Sequence, residues 1–235
     1  MLDAKEARQK TNMADLPILF IACRVFETLL SRYIPFELKD RVTFMDYGLH
    51  AIPKQLTKTL QVAIDSITTP SLIVLGYGMC GNGLKGIQAG IHTLLMPKTE
   101  DCIAIFLGSD EAYRAEFNAH PGTYYLTGGW LEAGSDPLKE YEKTVNKYGQ
   151  ETADWIMDQQ YRNYKRIVLV GHAPEDLQTY RERAMQVAEY CNRWGMSYHE
   201  ITGSDNYIRR LVEVAVDLSK VDDTFLLFSP GSVIG

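Results

Sequence analysis

The 235-residue chain holds no uninterrupted apolar run of eighteen or more residues, and so no segment reads as a transmembrane helix. No stretch gathers lysine and arginine on one face, and the net charge is −6, which argues against nucleic acid as a partner. The short basic pairs Lys165-Arg166 and Arg209-Arg210 read as solvated surface. Cysteine is scarce: four in the chain, with no CxxC pair, too few for a disulfide scaffold and compatible with a reducing, cytoplasmic setting. Residues 1–15 lack the apolar core of a secretory signal and read as a flexible extension. What remains is ordinary for a globular domain, 46% hydrophobic and 23% charged, which excludes disorder.

The apolar residues alternate between short runs and helical spacing. Residues 16–23 (LPILFIAC), 42–47, 71–77 and 92–96 read as strands, with a helix after the first and another opened by Pro53. The glycine-rich turn GYGMCGNGLKG leads from the third strand towards a helix or tight loop, and a helix begins near Asp101. The segment PGTYYLTGGW (121–130) is a turn, a short extended piece and a second turn, followed by polar helices to about residue 163. The rhythm then resumes, with strands at 166–170, 197–201 and 224–228 and helices over 175–194 and 206–218. This alternation predicts an α/β protein with largely parallel sheets, flanking helices and two Rossmann-like lobes. The expected segments are a first lobe over 16–130, linking helices over 131–164 and a second lobe over 165–235.

In a parallel sheet, functional residues collect where loops leave the carboxyl ends of strands. Cys23 ends the first strand, His50 follows the second, Cys80 follows the third, and Cys102 follows the fourth. Four capable residues therefore fall on one rim. Three thiolates and an imidazole form a tetrahedral zinc set, and three thiolates can hold a [4Fe–4S] cluster with one iron open. An open metal would act as a Lewis acid on a small-molecule substrate. Glycines 76, 78, 81 and 83 let the backbone approach a bulky centre, making Tyr77, Gly78 and Gly81, with Trp130, the candidate cofactor contacts. His50, Lys98 and Asp101 are candidates for proton transfer, with Glu100 beside them.

Each of these has a plainer reading. Buried cysteine often only fills space, and Cys191, in a helix of the second lobe, is read so. Cys80 could instead be a nucleophile, with His50 as its base. The glycine turn lacks the register of a dinucleotide site. Tyr113, Tyr124, Tyr125 and Trp130 either wall a pocket for a flat ligand or pack as core. His172 and Asp205 would face the crevice if the second lobe repeats the first, although Asp205 reads better as a helix N-cap. The closing turn Ser229–Ser232 either binds an anion through its amides or is an ordinary turn.

Taken in order, IAC at Cys23, Leu49-His50, YGMCG at 77–81, Asp101-Cys102, PGTY at 121–124, Gly129-Trp130 and Pro230-Gly231 resemble one family. It is the bacterial and archaeal family catalogued as domain of unknown function sixteen thirty-eight, and the resemblance runs from about residue 17 to the end. The resemblance implies a one-carbon or methylamine setting, with corrinoid methyltransferase proteins as partners, either around an enzyme or around an accessory protein that handles a metal or cofactor. It also carries the family's cysteine and histidine motifs onto Cys23, His50, Cys80 and Cys102. The chain reads Ala51-Ile52-Pro53 where an asparagine-proline style continuation is expected, and no role passes to the residue after His50.

Overall fold

The computed structural model describes residues 16–235; the expected extension over 1–15 and the side chains of His50 and Ala51 lie outside the described residues. Among the described residues, eight strands form two sheets. β1 (Ile18–Cys23), β2 (Val42–Met45), β3 (Leu72–Gly76), β4 (Thr93–Pro97) and β8 (Phe225–Phe228) make a five-stranded sheet in the order β2-β1-β3-β4-β8. Its first four strands run parallel, and β8 closes the edge antiparallel to β4. β5 (Thr123–Leu126), β6 (Arg166–Gly171) and β7 (Ser197–Thr202) form a second sheet, all parallel. Every residue of β3 and β4 is buried, which is why these segments are continuous apolar runs without alternation.

Nine helices flank the sheets among the described residues: α1 (Glu27–Ser31), α2 (Pro53–Asp65), α3 (Cys102–Leu107), α4 (Asp110–Ala119), α5 (Gly128–Glu132), α6 (Pro137–Tyr148), α7 (Gln150–Tyr161), α8 (Pro174–Cys191) and α9 (Asn206–Val216). Their starts follow from local chemistry. Asp101, Ser109, Thr127 and Asp136 each accept a hydrogen bond from a first-turn amide, and Pro53 and Pro137 sit where no amide hydrogen is needed. β3 and β4 are joined by the glycine turn as a loop, with no helix.

Sheet membership departs from the expected segments. β5, in the expected first lobe, pairs with β6 in the second sheet, whereas α9 and β8, in the expected second lobe, return to the first. The reason is packing. α9 buries Tyr207, Ile208, Leu211, Val212, Val214 and Ala215 in the same core as β3 and β4. Apolar spacing marks such a helix but not the sheet that receives it. β6 joins the two halves through its alternation: Val168 and Val170 enter the larger core, and Ile167 and Leu169 a second core with Met157, Tyr161 and Val187. Each fully buried Val, Ile or Leu here contributes about 1.5–3 kcal/mol. Arg166 is a correction to the surface reading: its side chain is largely buried, bonds Thr123 at 3.0 Å and pairs with Glu116. No helix among the described residues is long and apolar enough to cross a membrane.

Candidate metal centre and its adjoining cavity

Three of the predicted ligands leave neighbouring strands of the first sheet. Cys23 is the last residue of β1, next to Ala22, which lies opposite Gly76 at the end of β3. Cys80 lies four residues beyond β3, and Cys102 opens α3 beyond β4. The last two are fastened together by main chain: Met79 N donates to Thr99 O at 2.9 Å and Cys80 N to Glu100 O at 2.8 Å. Gly78 makes that approach possible, since a Cβ there would stand 2.8 Å from the Asp101 carbonyl. Cys80 itself is held at φ 47°, a left-handed conformation that side-chain-bearing residues avoid. Non-glycine residues so held cluster at functional sites, where surrounding structure offsets their cost.

Burial is the leading influence on all three thiols. Burial pushes Cys23 up to about 11, partly opposed by a hydrogen bond from the Val25 backbone. Burial pushes Cys80 up to about 12, with the charges of Cys23 and Asp101 adding to it. Cys102 is raised well above the usual thiol range by burial, then by Cys80, Asp101 and Cys23. Cys80 and Cys102 keep some exposed surface, yet their sulfurs are desolvated and feel one another. Tyr77 is 2% exposed, and its hydroxyl is buried with no hydrogen-bond partner. Burial, then Cys23 and Cys80, raise its pKa as well, which puts the phenol beside the same thiols. A buried hydroxyl left unpaired costs about 1–3 kcal/mol.

The donor set suits a thiophilic metal or cluster. Among the described residues, no three His, Cys, Asp or Glu side chains stand ready-made to hold a metal ion. His50 lies on the 3₁₀ segment Tyr47–Ala51 that follows β2, and its side chain is outside the described residues.

Beside Cys102 opens a cavity of about 400 Å³. Tyr113, Phe117, Tyr124, Tyr125, Trp130 and Tyr164 wall it, with Asp101, Cys102, Thr123 and Ser135 as the polar lining. Asp101 is committed: Oδ1 accepts from the Ile103 amide at 2.8 Å and Oδ2 from the Tyr113 hydroxyl at 3.0 Å. It caps α3 and positions Tyr113, which leaves it poorly placed as a free base. Trp130 Nε1 and Tyr125 Oη are buried and unpartnered. Tyr113, Tyr124, Tyr125 and Trp130 thus line one pocket, while Ser135 and Tyr164 were not foreseen, since nothing in the linking segment marks which polar or aromatic residue turns back towards β5.

Other candidates fall elsewhere. Lys98 is exposed and lines a separate depression with Asp110, Arg210 and Asp222, away from the lining of the Cys102 cavity. Gly81, φ 64°, turns the chain beside Pro53 and Lys54 on another groove. His172 does face a crevice between the sheets, about 230 Å³, with Arg24 and Arg32 across it, and its Nε2 bonds Phe106 O at 2.9 Å. Asp205 does not cap α9 with its side chain; the carboxylate accepts from the Tyr33 hydroxyl. The amides of Gly231, Ser232 and Ile234 are spent on Gly90, Ser229 and Ile87, so the closing segment is a fastened turn. Cys191 is fully buried in the second core.

Residues 44–212 match the family described as Protein of unknown function (DUF1638), and the chain belongs to that family. Neither the curated proteins nor the solved structures contain a match.

Proposed function

We propose that the chain binds a soft metal ion or an iron–sulfur cluster through Cys23, Cys80 and Cys102, and acts on a small molecule held in the aromatic cavity beside Cys102. The observation that carries this reading is the grouping of three desolvated thiols from three strand ends around a buried, unpartnered Tyr77 hydroxyl. With zinc, His50 is the fourth ligand; with a [4Fe–4S] cluster, three thiolates leave a position for substrate and His50 is free to carry protons. Either centre, when bound, supplies Lewis acidity. The chain's own residues do the rest. The Tyr77 hydroxyl donates a hydrogen bond to an acceptor at the centre, Asp101 orients the Tyr113 hydroxyl, and the aromatic walls exclude water. The one-carbon setting, and corrinoid methyltransferase proteins as partners, belong to this proposal through the resemblance alone.

Two other readings use the same residues. An accessory protein that hands on a metal or cofactor would need the thiols but no substrate cavity, and the cavity beside Cys102 favours the enzyme. A metal-free enzyme with Cys80 as nucleophile needs a thiolate at neutral pH. Burial pushes that thiol up to about 12, with the charges of Cys23 and Asp101 adding to it. The test is metal content per chain in purified variants. Cys80→Ala and Cys102→Ala are expected to lose most of the metal and Cys191→Ala to keep it. Equal content in all three would overturn the ligand assignment.

A further inference from the structure

We infer that the groove between α2 and the glycine turn binds a compound carrying a diphosphate or two neighbouring phosphate groups. Lys54 and Lys58 on α2, and Lys85 on the turn, all line this groove of about 710 Å³. No aspartate or glutamate is among the described residues lining it. None of the three lysines makes an ion pair among the described residues. Elsewhere exposed bases are met by acids, as in Arg24–Glu27 at 3.2 Å, Lys139–Glu142 at 2.6 Å and Arg193–Asp154 at 3.0 Å. In a chain of net charge −6, a groove lined by three lysines and no acid is a local reversal of sign. Lys54 and Lys58 stand at i and i+4 of one helix, which sets their Cβ atoms about 5–6 Å apart, and like charges so placed destabilise a helix. An anion held between them offsets that repulsion.

The two walls are fastened to each other. Thr57 Oγ1 donates to Gly83 O at 2.7 Å, Gln61 Nε2 to Gln88 O at 3.2 Å, and Gln88 N to Gln61 Oε1 at 2.8 Å. The backbones that carry the lysines are therefore held at a fixed separation. A Cβ at Gly86, in the lining, would meet nothing within 4 Å, so the turn leaves that side of the groove open. Residue type narrows the ligand. Lysine offers a point charge that suits phosphate, whereas planar carboxylates favour the fork of arginine, and no arginine is among the described lining residues. No aromatic ring is among them either, so the groove offers a nucleobase no stacking face. The volume lies within the roughly 300–1,000 Å³ of ligand sites, with Pro53 and Val62 as apolar surface for the rest of the molecule. This goes beyond the proposed function and rests on neither the metal centre nor the cavity beside Cys102.

The test is calorimetric titration with inorganic pyrophosphate against citrate, a polycarboxylate, in about 0.15 M salt without divalent cations. It is run on the protein as purified and after a chelator has been added and removed, with metal content measured on each sample. Pyrophosphate is expected to bind both samples at least about tenfold more tightly than citrate. The double variant Lys58→Gln/Lys85→Gln is expected to weaken it about tenfold, while Lys147→Gln, on α6 and outside the lining, leaves it unchanged. All three lysines of the groove are exposed, so their replacement leaves the core intact, and an unaltered melting temperature checks this. Pyrophosphate binding to metal-free protein that weakens in the double variant supports the inference whatever becomes of the metal centre. Binding confined to the metal-loaded sample belongs to the centre and overturns the inference. No binding in either sample, citrate binding as tightly as pyrophosphate, or unchanged affinity in the double variant overturns it and leaves the centre standing.

Discussion

Cys80 combines two properties that separate cleanly by substitution: a thiol offered to the centre and a left-handed backbone. Its φ of 47° is fixed from both sides, by Cys80 N donating to Glu100 O at 2.8 Å and by Gly83 N donating to Cys80 O at 3.1 Å. The backbone cannot relax without giving up the link that places Cys80 beside Cys102. A left-handed conformation costs an L-residue about 1–2 kcal/mol, and glycine avoids this while losing about 0.5–1 kcal/mol more backbone entropy on folding. Cys80→Gly is therefore expected to be about 1 kcal/mol more stable than Cys80→Ala. For a chain of this size that corresponds to roughly 2–4 °C in melting temperature. Both variants lack the thiol, so both lose the metal. The assay is thermal and urea unfolding of the two variants after chelator treatment, with metal content measured beforehand. An alanine variant as stable as the glycine one would refute the strained-ligand reasoning; metal retained by both would refute Cys80 as a ligand.

Three further outcomes follow from the geometry. Gly78→Ala places a methyl against the Asp101 backbone, which cannot give way as a flexible side chain would, and is expected to cost about 1–3 kcal/mol in urea unfolding and to lower metal content. His172 has its pKa lowered below 6.5 by burial, against opposition from the Phe106 carbonyl and Asp176. The unfolded chain therefore binds the proton more readily, and the stability His172 contributes is complete above 6.5 and lost as pH falls from there through its folded value. His172→Gln is expected to flatten the fall in stability on acidification, with His92 and the lowered carboxylates Glu200, Asp217 and Asp222 still contributing slope; an NMR titration placing His172 at or above 6.5 would contradict this. Arg183→Met removes the guanidinium 3.0 Å from the carboxylate of Asp136, which is 1% exposed and caps α6, and is expected to destabilise by about 2 kcal/mol in the same unfolding assay.

Strand positions were legible because the buried strands are short apolar runs closed by glycine, proline or polar residues. LPILFIAC and SLIVLGY yield β1 and β3 to within two residues. Pairing was not legible: FLLF at β8 has the look of any sheet strand, and only its antiparallel fit to the edge of β4 sends it to the first sheet. The rim placement of Cys23, Cys80 and Cys102 could be read because it needs only strand order and direction. The roles of Asp101 and Lys98 could not, since they turn on side-chain direction. Asp101 is spent on the Ile103 amide and the Tyr113 hydroxyl, and Lys98 lines a separate depression with Asp110 and Asp222. The close approach at Gly78 and the orphaned hydroxyl of Tyr77 depend on contacts that local sequence does not encode.

The metal and sulfide content, with the visible spectrum, of untagged protein purified without oxygen tests the metal assignment most directly. Either about four irons with matching sulfide and a brown colour, or about one zinc without colour, is expected. Protein that is free of metal as purified, and that takes up neither zinc nor a reconstituted cluster through Cys23, Cys80 and Cys102, would contradict it.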